Sequence, residues 1–115
     1  MDKIYEQTML FDFYGELLTE HQRRVYEDAL YNDMSLGEIA QEQGISRQGV
    51  HDLIRRCDRI LQEYESKLHL VERFAKARKT IAEIERLTLA AGEAADLQEP
   101  LQEIRKLSRK LLEEL

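Results

Sequence analysis

Apolar residues in the middle of the chain recur at spacings of three and four, the mark of helices with one buried stripe. Leu36, Ile39 and Ala40 form one stripe, and Val50, Leu53, Ile54 and Cys57 form a second. Ser35 followed by Glu38 makes a capping box that starts the first helix, and Ser46 offers a hydroxyl to start the next. Between them Gly44 suits the left-handed position that ends a helix, and Ile45 is expected to plug the turn. Residues 35–61, SLGEIAQEQGISRQGVHDLIRRCDRIL, therefore predict a helix-turn-helix. A helical hairpin using the same caps for packing alone accounts for the turn but not for the polar outer face. That face carries Arg47, Gln48, His51 and Arg55, long hydrogen-bonding side chains where a recognition helix meets base edges.

The flanking segments read as helices too. Asp2 to Tyr14 forms a first helix that makes Ile4, Met9, Leu10, Phe13 and Leu17 available to a core, with Gly15 loosening its end. Thr19 and Gln22 form a second capping box ahead of a helix bearing Val25, Ala29 and Leu30, which Asn32 and Asp33 stop. The fourth helix continues through Ile60, Leu61, Tyr64 and Leu68. No strand-like alternation stands out, so the fold class is all-α: residues 1–67 form the helix-turn-helix domain and residues 68–115 a C-terminal helical extension.

Within the extension, Leu70, Phe74, Ala77, Ile81 and Ile84 follow a coiled-coil seam, and packing back onto the first domain is the competing explanation. Gly92 and Pro100 break the pattern, with Pro100 in the first turn of a last helix. Leu101, Ile104, Leu107, Leu111, Leu112 and Leu115 line one stripe of that helix, opposite Arg105, Lys106, Arg109 and Lys110. The two apolar stripes call for a partner surface, either each other in an antiparallel hairpin or a second subunit. A homodimer held by residues after Lys67 is expected, because helix-turn-helix proteins present paired recognition helices to half-sites.

Charge qualifies this picture. Of a net charge of −6, residues 1–68 carry 8 Lys and Arg against 14 Asp and Glu, while residues 69–115 balance at 9 against 9. Between Ile45 and Ile60 the sign reverses, with Arg47, Arg55, Arg56 and Arg59 against Asp52 and Asp58. A local basic surface on an acidic body suits selective or weak nucleic-acid binding better than tight non-specific binding. Asp2, Glu6 and Asp12 interrupt the N-terminal apolar run, no run reaches transmembrane length, and the lone Cys57 makes no intrachain disulfide. A reduced, cytoplasmic setting without membrane partners is the expectation. His21, His51 and His69 lie far apart without ligand-spaced carboxylates or thiols, and no phosphate loop or nucleophile elbow is present. Neither a metal, a cofactor nor an enzymatic activity is expected.

The segment LLTEHQRRVYEDALYNDMSLGEIAQEQGISRQGVHDLIRRCDRILQEYESKLHL resembles the YlxM family of small bacterial proteins, whose helix-turn-helix resembles region four of bacterial sigma factors. The likeness spans Ile4 to Phe74 and is most specific in ISRQGVHDLIRR. It implies a DNA-binding regulator of the signal recognition particle pathway, since the family's gene commonly neighbours those of the particle's GTPase or its receptor. The alternative it implies is an interaction module for that GTPase or RNA that reads no DNA. Residue by residue, the resemblance places Ser46 on a phosphate, Arg47, Gln48, His51 and Arg55 toward bases or backbone, and Arg59 on the same basic surface. Two positions depart from the sigma pattern. Gly49 stands in the first turn, at roughly 1 kcal/mol of helix propensity relative to Ala, and Asp52 lies beside the contact surface, where a carboxylate repels phosphate unless it accepts from cytosine.

Overall fold

The computed structural model describes residues 2–92 and 96–114, and among them all regular structure is helical. The helices are α1 (Lys3–Tyr14), α2 (Glu20–Leu30), α3 (Leu36–Gln43), α4 (Arg47–Leu68), α5 (Leu70–Ala91) and α6 (Gln98–Glu114), with a 3₁₀ turn at Gly15–Leu17. The chain divides into two compact units, Met1–Val71 and Glu72–Leu115.

Local chemistry sets the helix starts of the first unit. Asp2 accepts from the Ile4 amide at 3.1 Å, and both capping boxes form, Thr19 with Gln22 and Ser35 with Glu38. Each box satisfies backbone donors that a helix start leaves without an intrahelical partner. Beyond α2 the chain turns at Asp33, whose φ of 52° is left-handed.

Helix α4 is the axis of this unit and packs against α1, α2 and α3. Two apolar clusters hold it. Leu10, Tyr14, Leu18, Tyr26, Cys57 and Leu61 form one; Val25, Ile39, Ala40 and Val50 form the other, with Leu53 half-buried beside them and Ile54 packed against both. Ring stacking adds to the first cluster, Phe11 on Tyr26 at 5.4 Å and Tyr14 on Tyr64 at 6.0 Å between centroids. Three expected core residues lie elsewhere. Ile4 and Leu17 are exposed, because α1 turns Leu10 and Tyr14 inward and the 3₁₀ turn hands its buried place to Leu18. Ile45 is 38% exposed and does not plug the turn, which Val50 and Ile39 close from the two helices instead.

In the second unit the Asp96 carboxylate accepts from the Gln98 amide at the start of α6, and Pro100 stands in its first turn as expected. Burial on α5 falls on Ala77, Thr80, Ile84, Leu87 and Ala91, a register that leaves Ile81 and Phe74 exposed and so shifts the expected seam by part of a turn. On α6 the half-buried positions are Pro100, Ile104, Leu107, Ser108 and Leu111, while Leu101 and Leu112 face solvent. Leu115 of the expected stripe lies outside the described residues. No described helix is long and apolar enough to cross a membrane.

Candidate nucleic-acid interface

Helix α3 ends at Gly44, whose φ of 68° places it in the left-handed region that a side chain would strain. The Gly44 and Ile45 amides both return to the Ala40 carbonyl, closing the turn within α3's own last residues. Ser46 then starts α4, its Oγ accepting from the Gly49 amide at 2.9 Å. The expected phosphate contact of Ser46 is thus joined by a structural duty, since that oxygen already fills the cap. Gly49 also gains a reason, because a Cβ there would stand 3.1 Å from the Ser46 oxygen.

With Val50, Cys57 and Leu61 buried, α4 turns its opposite face outward, and Arg47, Gln48, His51, Arg55 and Arg59 are all exposed there. Arg47 lies back toward the start of α3: its Nε is 3.7 Å from where a Gly37 Cβ would stand. Its charge therefore sits by the opening turns of both helices, where free N–H groups also favour anions. One turn on, Gln48 donates to Asp52 Oδ1 at 3.0 Å, and His51 Nδ1 lies 3.8 Å from the same oxygen. Asp52 thus occupies the middle of the proposed reading face and holds the Gln48 amide that would otherwise be offered to a base.

A network hidden from sequence patterns fixes the far half of α4. Tyr26 donates to Asp58 Oδ1 at 2.5 Å, and Gln7 Nε2 donates to both Asp58 oxygens at 3.0 and 3.2 Å. The bonds tie α1 and α2 to one carboxylate. Burial, and then the bond to Asp58, pushes the Tyr26 hydroxyl's pKa well up, keeping it a neutral donor. Burial likewise raises the Cys57 thiol to about 11, as expected of a structural cysteine. Lys3 of α1 reaches the same region and lines a groove with His51, Arg55, Asp58, Arg59 and Gln62. Sequence reading missed Lys3, although the spacing of four through His51, Arg55 and Arg59 pointed along that face. Among the described residues no three His, Cys, Asp or Glu side chains gather as a metal-binding group.

A capped helix, a glycine turn and a second capped helix with a polar outer face define a helix-turn-helix protein. The chain belongs to the UPF0122 family, described as "Putative helix-turn-helix protein, YlxM / p13 like", which matches residues 1–104. The UPF0122 protein ABC2295 of Shouchella clausii is 46% identical over 96 residues, 84% of this chain and 87% of that protein. A UPF0122 protein of Acetivibrio thermocellus is 49% identical over 84 residues, covering 73% and 72% of the two chains. One of Desulforamulus reducens is 37% identical over 113 residues, covering 98% of this chain and 96% of its own.

Proposed function

We propose that this protein binds duplex DNA through the outer face of α4 and acts as a regulator, not an enzyme, in the signal recognition particle pathway that its family resemblance implies. The observation that carries the reading is the joint exposure of Arg47, Gln48, His51 and Arg55 on a helix whose opposite face is buried. A rigid helix with guanidinium and amide groups toward solvent is suited to base edges and phosphates alike. A homodimer joined through residues after Lys67 would supply the second recognition helix, and exposed Ile81, Leu89, Leu101 and Leu112 favour it. Light scattering on gel-filtered protein tests that part, a mass near 13.6 kDa at micromolar concentration refuting it.

The Gln48–Asp52 bond favours a second reading, in which the same scaffold meets the particle's GTPase or RNA and reads no DNA. Fluorescence anisotropy against random duplex, the particle RNA and the GTPase, repeated across salt, separates the two. DNA binding gives a steep salt slope that Arg47→Ala with Arg55→Ala makes shallower by about 2, one for each lost phosphate contact. Unchanged binding by that double variant at an unchanged melting temperature removes α4 as the reader.

A further inference from the structure

The groove lined by Lys3, His51, Arg55, Asp58, Arg59 and Gln62 lies within the first unit, and it shares His51 and Arg55 with the reading face while reaching Lys3 on α1. Its cations are arranged against the stability of the fold. His51, Arg55 and Arg59 stand four residues apart on α4, so Arg55 and Arg59 repel along one face. Lys3 is the first residue of α1, where a positive charge opposes the helix dipole. The groove's carboxylate, Asp58, accepts from the neutral Tyr26 hydroxyl and Gln7 amide and stands against three cations, and among the described residues no ion pair reaches Lys3, Arg55 or Arg59. Such a row, left without partners on two helices that the Asp58 network locks together, fits an extended polyanion better than a compact ligand.

We propose that this groove is a track for the sugar-phosphate backbone of bound duplex DNA, and that Lys3 makes α1 part of the interface. The inference rests on the DNA-binding reading above. The row starts at His51, inside the reading face, and runs through Arg55 and Arg59 on α4, with Lys3 of α1 lining the same groove, so a strand lying along α4 meets cations from both helices. Contacts made to the backbone alone leave this part of the interface sequence-independent and sensitive to salt.

The test is an anisotropy titration of the full chain and its Lys3→Ala, Lys3→Glu and Lys3→Arg variants against random duplex DNA across a salt series, with circular dichroism and melting beside it. Lys3→Ala is expected to weaken binding severalfold and make the salt slope shallower by about 1. Lys3→Glu should weaken it further, Lys3→Arg should bind as the parent does, and no variant should melt lower. Parent-like binding by Lys3→Ala and Lys3→Glu overturns the groove while leaving the DNA reading intact. Weakening with an unchanged salt slope also overturns it, since the residue would then act through the fold. If the folded parent binds no duplex, or binds only structured RNA, the DNA reading fails and the track with it.

Discussion

The Tyr14 hydroxyl donates to Glu65 Oε1 at 2.5 Å and accepts the Leu70 amide at 3.0 Å, while the same Glu65 oxygen accepts the Val71 amide at 3.0 Å. The pair does the work of a helix cap. His69 ends α4 in a left-handed conformation, and α5 begins at the next residue. A tyrosine from α1 and a glutamate from α4 satisfy the first two amides of α5, which a helix start leaves without intrahelical partners. Burial, then the bond to Glu65, raises the Tyr14 hydroxyl's pKa, so it remains a donor at any pH where the protein is handled.

Tyr14→Phe keeps the buried ring and removes only that bridging oxygen. The Leu70 amide then loses its partner and Glu65 one of its donors, which should cost about 1 to 3 kcal/mol in urea unfolding of the full chain. A loss under about 0.5 kcal/mol, the scale of surface substitutions, would show that water replaces the hydroxyl and that the pair does not secure the start of α5.

Ile39 and Ile45 look alike in the sequence but not in the structure. Ile39 is fully buried and Ile45 is 38% exposed. Ile39→Ala should therefore cost roughly 2 to 5 kcal/mol, the range for an emptied core site, and Ile45→Ala about 1 or less. Denaturant midpoints measure both, provided the slope of unfolding stays constant. The reverse order would return Ile45 to the core.

Asp52 tests which kind of partner the outer face of α4 meets. Asp52→Asn removes its charge and leaves an oxygen for the Gln48 amide. If DNA lies on this face, affinity for random duplex should rise about threefold to tenfold at low salt, and the gain should shrink as salt screens it. Weaker duplex binding by the variant would mean that the carboxylate itself makes a favourable contact.

Glu38 gives the helix-turn-helix a defined acid sensitivity. The Ser35 amide, then the Ser35 hydroxyl, holds its carboxyl below the usual glutamate range. A group depressed in the folded state stabilises fully above its unfolded pKa, about 4.3, and that contribution disappears as pH falls through the lower folded value. The melting advantage of the parent over Glu38→Gln should thus be constant near neutrality and shrink below about pH 4. A difference independent of pH down to the acid transition would mean that the charged form is not what the cap holds.

What the sequence by itself determined is whatever spans three or four residues. Both capping boxes, the Gly44 turn, the Ser46 cap and the outward set Arg47, Gln48, His51 and Arg55 stand where local spacing puts them, because each needs only neighbours on its own turn of chain. Spacing assigns a residue to a face but does not say how far along that face another element reaches. For that reason Ile4, Leu17 and Ile45 stay exposed, and burial on α5 runs through Ala77, Thr80 and Ile84 instead of Phe74 and Ile81. The tertiary structure alone decided the Asp58 carboxylate's bonds to Gln7 and Tyr26, the Tyr14–Glu65 pair and the meeting of Lys3 with Arg55 and Arg59. Those bonds join residues 32 to 51 positions apart, and only the packing of α1 and α2 against α4 brings such donors and acceptors within reach.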